Sequence, residues 1–199
     1  MMRLTGNGLS AVRGGRTVFA GVSFGLGDGQ MLAVTGANGA GKSTLLRLIA
    51  GLLRPAAGTV SLDPVGENGI AGALHYLGHL DGLKTVLTVR ENLAFWQRLW
   101  GGAGSVDDAL DKVGLARLAD LPAGVLSAGQ KRRVAITRLL LAARPLWLLD
   151  EPATALDFAA EATLGRLISE HLAGGGMAVV ATHRDLAIAP TATLALGAA

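Results

Sequence analysis

The chain has 199 residues, of which 50% are hydrophobic and 17% are charged, and its formal net charge is +3. This composition excludes intrinsic disorder, because the chain can bury enough apolar surface to offset the loss of conformational entropy on folding. The absence of cysteine excludes a disulfide scaffold, a thiolate zinc site, an iron–sulfur cluster and a cysteine nucleophile. No apolar run reaches the roughly 18 residues of a membrane span and no secretory signal opens the chain, so we expect a cytosolic protein.

Strand and helix signals alternate in the first part of the chain. An apolar run at 31–35 predicts a buried strand, followed by a glycine-rich turn and a helix from Lys42 to near Gly51. Residues 59–62 and 73–77 are further strand candidates. Because strands alternate with helices, we expect a parallel sheet.

Three helices are predicted in the middle of the chain. Thr88 and Glu91 form the capping-box pattern that opens the first of them. Ser105 and Ser127 are the expected N-caps of the other two, and the last helix is expected to end near residue 143.

The alternation of strands and helices resumes after this helical stretch. A buried strand at 146–150, a helix at about 158–172 and a strand at 177–182 are predicted. We therefore predict an α/β fold in one domain over residues 1–199. Its core comprises residues 1–78 and 146–199, and an α-helical subdomain is inserted at about 79–145.

The glycine-rich turn fits the phosphate-binding pattern G-x-x-x-x-G-K-[ST] between a strand and a helix. Glycines let backbone N–H groups converge on a phosphate, and the helix N-terminus adds favourable partial charge. Lys42 would reach the β- and γ-phosphates, and the Ser43 hydroxyl would bind Mg²⁺. The predicted nucleotide-binding residues of this loop are Gly36, Ala37, Asn38, Gly39, Ala40, Gly41, Lys42, Ser43 and Thr44.

The apolar strand that begins at Leu146 ends in two acidic residues, Asp150 and Glu151. Asp150 at its tip can orient Mg²⁺, and Glu151 can polarise the attacking water as a general base. Taken alone, a strand that ends in two acids is commonplace. With the phosphate loop upstream, the pair predicts a P-loop NTPase in which Lys42 and Glu151 are catalytic.

A third motif narrows the class. The sequence LSAGQ at 126–130 resembles the LSGGQ signature of ABC-type ATPases, with alanine for the first glycine. Ser127 and Gly129 stand at a helix N-terminus, where anions bind. If the inserted helices hold this motif away from the chain's own phosphate loop, Ser127, Gly129 and Gln130 serve a second subunit. A head-to-tail homodimer that sandwiches two ATP molecules is therefore implied, although an ordinary N-cap serine is the alternative for the motif alone.

The resemblance to ABC-type ATPases assigns four more positions. Asp157 matches the loop that links the two sites, and His183, after the strand at 177–182, matches the catalytic histidine that contacts the γ-phosphate and holds Glu151. His79 stands where these ATPases usually have a glutamine that senses Mg²⁺ and the membrane partner. Arg13 replaces the usual aromatic residue, and its guanidinium could still stack on adenine.

These departures, the sequence LSAGQKRR and the compact length resemble the ATPase subunits of the cytochrome c maturation system, a haem exporter. The resemblance implies a MgATP-hydrolysing subunit at the cytoplasmic face of the inner membrane, held there by an integral membrane permease subunit. ATP would be used to release a haem-loaded periplasmic chaperone. We expect no direct haem binding, although His75 and His79 would share one face of a strand.

Two other functions stay open. The chain could serve an ABC transporter with another cargo, or be a soluble ABC-type protein that uses ATP-driven dimerisation as a switch. No nucleic acid is expected as a partner, because only Lys131, Arg132 and Arg133 form a basic cluster, and such a run on a helix is usually solvated. The aromatic residues at 95, 96 and 100 are expected to pack in the core of the helical insertion, with contact to the membrane partner as the alternative.

Overall fold

A computed structural model describes residues 1–67, 69–183 and 188–197 and gives the following elements. The strands are β1 (Arg3–Arg13), β2 (Arg16–Gly27), β3 (Met31–Thr35), β4 (Ala57–Asp63), β5 (Leu74–Leu77), β6 (Leu146–Asp150), β7 (Met177–Ala181) and β8 (Ala192–Ala195). The α-helices are α1 (Lys42–Ile49), α2 (Gly69–Gly72), α3 (Val89–Trp100), α4 (Val106–Lys112), α5 (Ala128–Thr137) and α6 (Phe158–Ala173). Contacts divide the chain into a first unit (1–78, 144–151 and 168–199) and a second unit (79–143 and 152–167).

The first unit contains the predicted parallel sheet. Five strands pair in the order β5-β6-β7-β3-β8, and all the pairings are parallel. Every residue of β6 and β7 is buried, which is why both strands read as continuous apolar runs rather than as an alternation. Helix α1 packs on β6 and β7 and buries Leu45, Leu46 and Ile49 completely. Each of these side chains contributes about 1.5–3 kcal/mol by leaving water.

A second, antiparallel sheet in the first unit was not predicted. Its strand order is β2-β1-β4, so the strand candidate at 59–62 lies here and not in the parallel sheet. The long strand β1 escaped sequence analysis because the β1–β2 register shifts between Gly6 and Leu9 and again before Ala11. Each shift breaks the two-residue alternation by which strands are recognised.

The register of the parallel sheet determines where the loops of the first unit meet. Ala181 at the end of β7 pairs with Asp150 at the end of β6 and with Val34 near the end of β3. The loops that follow these three strands therefore leave the same edge of the sheet. The phosphate loop, Asp150, Glu151 and His183 follow these strands and lie at this edge, whereas Arg13 belongs to the antiparallel sheet.

The second unit contains α3, α4 and α5. Thr88 forms the predicted capping box with Glu91, and Ser105 and Ser127 cap α4 and α5 as predicted. Ser127 also forms a capping box with Gln130, which was not predicted. Helix α5 ends at Thr137, and a 3₁₀ turn over 138–140 follows, so the expected extension to residue 143 is wrong. The Thr137 hydroxyl donates to the Arg133 carbonyl at 2.8 Å, a local bond that perturbs helix geometry near the end of α5.

The three aromatic residues of α3 differ in burial: Phe95 is exposed, whereas Trp96 and Trp100 are half-buried. Phe95 is 51% exposed, so the expectation that it packs inside is wrong. Trp96 is half-buried, with its ring 4.9 Å from that of Trp100 and the Arg138 guanidinium 5.0 Å from its centroid. Throughout the described residues, no helix is long and apolar enough to cross a membrane.

A stacked pair inside the first unit links β6 to α6. The His171 and Trp147 rings stack with centroids 4.0 Å apart and planes at 8°. His171 Nε2 lies 3.1 Å from the Met177 carbonyl. Burial lowers the pKa of His171, and hydrogen bonds to the carbonyls of Met177 and Pro145 partly oppose this effect.

The lowered pKa of His171 predicts a pH-dependent stability. Below about pH 6.5 the unfolded chain binds this proton more tightly than the folded chain does, so the free energy of unfolding should fall as the pH falls. His171→Phe keeps an aromatic ring against Trp147 and removes the titrating group. Urea unfolding between pH 5 and 8 should therefore show a shallower loss of stability for His171→Phe. Identical slopes in the two proteins would contradict this assignment.

Candidate functional site

The loop between β3 and α1 has a backbone that only glycine can follow at two positions. Gly36 has φ 138°, and a Cβ there would lie 2.4 Å from the Leu196 carbonyl oxygen. Gly41 has φ 100°, and a Cβ there would lie 2.6 Å from Val18 Cγ1. Gly39, with φ 85°, faces open space. The glycines therefore permit both the turn and its close packing.

The ammonium of Lys42 is held beneath this loop. The side chain is 7% exposed, and its Nζ donates to the carbonyls of Gly36 at 2.8 Å and Ala37 at 3.3 Å. Nζ also lies 3.8 Å from Glu151 Oε1. The structure thus brings Lys42 and Glu151 together, in a position to place positive charge beside a bound phosphate. The predicted residues Asn38 and Ala40 lie in the same loop, and Thr44 is buried in the first turn of α1.

Ser43 and Asp150 meet at the edge of the sheet. The Ser43 hydroxyl donates to Asp150 Oδ1 at 2.9 Å, and Asp150 is buried. A hydroxyl and a carboxylate are hard oxygen ligands of the kind that Mg²⁺ prefers, so this pair fits that ion. In the described part of the chain, no cluster of three or more histidine, cysteine, aspartate or glutamate side chains that could hold a metal ion is present.

Two residues beside Asp150, Tyr76 and Arg47, were not predicted from the sequence. The hydroxyl of Tyr76, on β5, lies in a buried position near Arg47 and Asp150. Burial raises the pKa of Tyr76, Arg47 opposes the rise and Asp150 adds to it. Tyr76 therefore keeps its proton at neutral pH. The spacing of Ser43 and Arg47, four residues apart on α1, was the available signal, because such residues share a helix face.

Glu151 and His183 meet because β6 and β7 are neighbours. His183 Nδ1 lies 2.9 Å from Glu151 Oε2, and the Glu151 N–H donates to the Ala181 carbonyl at 2.9 Å. Glu151 adopts φ 47°, a left-handed conformation that costs a residue with a side chain about 1–3 kcal/mol. The imidazole, the carboxylate and the Lys42 ammonium thus form one cluster in the first unit.

The signature motif lies in the second unit, at the start of α5. The Ser127 hydroxyl accepts from the Gln130 N–H at 3.2 Å, and Gln130 Oε1 accepts from the Ser127 N–H at 2.8 Å. A Cβ on Gly129 would lie 2.6 Å from the Ala155 carbonyl oxygen. Residues at the start of α5 and in the segment at 155–160 surround a cavity of about 170 Å³, which we call the signature cavity. It is lined by Ser127, Gly129, Gln130, Arg133, Ala155, Leu156, Asp157 and Ala160.

Asp157 contributes to the signature cavity and to helix α6. Its Oδ1 accepts from the Ala160 N–H at 2.8 Å, in the first turn of that helix. Ala155, two residues earlier, has φ 64°, a left-handed conformation that is rare for a residue with a Cβ. The segment thus combines a strained turn with a helix cap, which fixes the direction in which the chain enters α6.

The remaining two predicted residues are exposed. Arg13 ends β1 next to the hairpin turn, and His79 follows β5. Because β5 ends at Leu77, the interpretation that His75 and His79 share a strand face is wrong. His75 is buried within β5. The adenine-stacking role of Arg13 and the sensing role of His79 stay predictions.

Comparison with known proteins defines the class. The family model described as ABC transporter matches residues 19–154, so the chain belongs to this family and is an ABC-type ATPase that binds ATP. The fold agrees with a solved ABC transporter ATP-binding protein from Pyrococcus furiosus at a TM-score of 0.86 and 25% identity, covering 98% of this chain and 97% of that one. A bacterial Atm1-family ABC exporter with ATP bound gives a TM-score of 0.81 at 26% identity, covering 98% of this chain and 36% of the exporter. The predicted P-loop fold with an ABC-type core is confirmed.

Curated relatives define the family within this class. The chain is 56% identical over 191 residues to the cytochrome c biogenesis ATP-binding export protein CcmA of Rhodopseudomonas palustris (strain BisB5), covering 94% of this chain and 95% of that protein. The protein of the same description from Nitrobacter winogradskyi is 54% identical, covering 94% and 95%. The chain therefore belongs to the family of cytochrome c biogenesis ATP-binding export proteins. The resemblance inferred from the motifs is confirmed.

The phosphate loop provides a test of the packing argument. Gly36→Ala should destabilise the protein more than Gly39→Ala, because only the Cβ at position 36 meets a backbone carbonyl. Gly39→Ala should cost about 1–2 kcal/mol through its positive φ alone. Thermal unfolding without nucleotide measures both changes. Equal losses of stability would show that the Leu196 carbonyl does not constrain the loop.

Proposed function

We propose that this chain is the MgATP-hydrolysing subunit of a membrane complex for cytochrome c maturation, which uses ATP to release a haem-loaded periplasmic chaperone. The ATPase activity is carried by one observation: the Glu151 carboxylate lies between the Lys42 ammonium and the His183 imidazole beside the phosphate loop. The similarity to cytochrome c biogenesis ATP-binding export proteins supports the place in cytochrome c biogenesis. In this proposal, residues 1–199 form one ABC ATPase domain.

Each predicted phosphate-loop and catalytic residue of the first unit has a defined task in the proposed hydrolysis. The loop N–H groups and Lys42 bind and neutralise the β- and γ-phosphates. Glu151 orients the attacking water and accepts its proton, and His183 holds the Glu151 carboxylate and contacts the γ-phosphate. Ser43 and Asp150 would hold Mg²⁺, which supplies further charge neutralisation at the phosphate oxygens when bound. Positioning and electrostatics thus provide the acceleration.

A second copy of the chain completes each ATP site in this proposal. The signature cavity presents Ser127, Gly129 and Gln130 at the N-terminus of α5, where first-turn N–H groups and the helix dipole attract anions. Asp157 lines the same cavity. We propose that this surface binds the γ-phosphate held by the other copy. The homodimer is head-to-tail and encloses two ATP molecules.

The permease partner is supported by the exposed apolar side chains of the second unit. Leu80 is 82% exposed and Val86 is 85% exposed, and both follow β5 near His79. On α3, Phe95 and Leu99 are exposed and four residues apart, so they share a helix face. Exposed apolar side chains that lie together on a surface mark interaction sites. We propose that an integral membrane permease covers it at the cytoplasmic face of the inner membrane.

The proposal also assigns roles to two exposed side chains and includes no binding of nucleic acid or haem. Arg13 stacks on adenine, and His79 responds to Mg²⁺ or to the permease. No nucleic acid and no haem bind to this subunit itself in this proposal.

Replacing the base should separate binding from hydrolysis. Glu151→Gln should lower kcat by about 10²-fold or more, because general-base catalysis contributes at least that much. MgATP binding should persist, and size-exclusion chromatography should show a dimer that forms only with ATP. Lys42→Ala is the contrasting variant and should weaken nucleotide binding itself. Turnover near the wild-type rate in Glu151→Gln would exclude this residue as the base.

The place in cytochrome c maturation is tested in cells. A strain without the gene should lose c-type cytochromes on haem-stained gels and keep cytoplasmic haem proteins, because haem synthesis does not depend on this step. The wild-type gene should restore the signal, and the Lys42→Ala gene should not. Normal cytochrome c levels in the deletion strain would point to another cargo and leave the ATPase assignment intact.

A further inference from the structure

A buried arginine joins three segments of the second unit. Arg132, on α5, is 4% exposed. Its Nη1 donates to Asp81 Oδ1 at 3.2 Å, and its Nε donates to the Pro152 carbonyl at 3.1 Å. Asp81 belongs to the segment after β5 that carries His79, and Pro152 opens the segment that leads to Asp157 in the signature cavity.

We propose that Arg132 is a positioning residue that sets the shape of the signature cavity by holding its two walls and the segment at 79–87 in one arrangement. This inference rests on the proposed function, in which the cavity binds the partner copy's ATP. Arg132 lies five residues after Ser127 on the same helix and touches no nucleotide in this proposal. It acts through Pro152 and Asp81.

Only arginine can make both contacts together. The guanidinium is planar and presents donors in a fixed fork, so Nε and Nη1 reach a carbonyl and a carboxylate at once. A lysine ammonium is a single point charge and cannot reproduce both directions. Because Arg132 is buried, neither bond is exchanged freely with water, and each contact fixes its segment relative to α5.

A second buried arginine, Arg138, lies within electrostatic range of Asp81. Burial lowers the pKa of Arg138 to about 10, Asp81 opposes this effect and Arg132 adds to it. The carboxylate of Asp81 thus attracts two buried guanidinium groups, and the Arg132 guanidinium donates a hydrogen bond to it. A variant without the Arg132 charge keeps the electrostatic attraction between Asp81 and Arg138 and relieves the repulsion between the two cations. The fold of the second unit should therefore survive such a variant.

The far end of this network is accessible to a partner. Leu80 precedes Asp81 directly and is 82% exposed, and Val86 is 85% exposed in the same segment. The other end of the segment is fixed by the buried Asn92, whose side-chain amide donates to the Lys84 carbonyl at 3.0 Å. A contact that moves the segment at Leu80 therefore acts on Asp81, on Arg132 and on the walls of the signature cavity.

The test uses the full chain in the Glu151→Gln background, with Arg132→Lys and Arg132→Gln as variants. Lys131→Met is the matched control, because Lys131 is on the same helix and its Nζ reaches only the Gly124 carbonyl, at 3.4 Å, among the bonds described. MgATP affinity is measured on the monomer, and the ATP concentration for half-maximal dimer formation is measured by light scattering. Hydrogen exchange of the segments 79–87 and 152–157 reports positioning directly.

Both Arg132 variants should raise the ATP concentration for half-maximal dimer formation by about tenfold or more, the effect of one lost charge-assisted hydrogen bond. Monomer affinity for MgATP should be unchanged, and hydrogen exchange should rise in both segments. Lys131→Met should alter none of these. Unchanged dimer formation in both variants, or an equal loss of monomer affinity, would overturn the inference. If Glu151→Gln alone forms no dimer with ATP, the proposed dimeric function fails, and this inference fails with it.

Discussion

The cluster of Lys42, Glu151 and His183 in the first unit depends on the parallel register of β3, β7 and β6. This register brings Val34, Ala181 and Asp150 side by side at one edge of the sheet. Glu151 comes directly after Asp150, and His183 comes two positions after Ala181. The Glu151 carboxylate and the His183 imidazole, which are far apart in the chain, therefore meet, with Oε2 and Nδ1 2.9 Å apart. A slip of one residue would move every side chain of these strands to the opposite face, and because both faces are buried, each side chain would have to pack against a different set of neighbours. Burial of the strands therefore enforces the geometry of the cluster.

Burial has a second consequence, because charged groups at this edge cannot rely on water. Lys42 is 7% exposed and Asp150 is 1% exposed, and an unpaired charge in such a place is costly. The Lys42 ammonium is stabilised by the carbonyls of Gly36 and Ala37, and Asp150 accepts from Ser43. These bonds stabilise the buried charges and limit the directions in which each group can point. Preorganisation of this kind lowers the reorganisation needed during reaction.

Sequence analysis predicted the parts of the site that depend on contiguous motifs. The phosphate loop, Asp150 with Glu151, and LSAGQ each lie within nine residues, and local spacing carries their signal. Contacts between distant residues were not predictable in this way. Arg132 and Asp81 are 51 positions apart, and nothing in either neighbourhood indicates the other. The strand β1 was missed for a related reason, because its register shifts remove the alternation that pattern analysis needs.

The start of α5 meets two demands at once. An N-cap alone explains Ser127 and Gln130, whose reciprocal bonds satisfy the first turn of the helix. It does not explain Gly129, because glycine weakens a helix relative to alanine by about 1 kcal/mol. The reason for glycine is the Ala155 carbonyl, which would lie 2.6 Å from a Cβ at this position. Glycine at position 129 therefore lowers the stability of the helix but allows the segment at 152–157 to approach it closely. That approach brings Asp157 beside Ser127 in one cavity, an arrangement that helix capping by itself does not require.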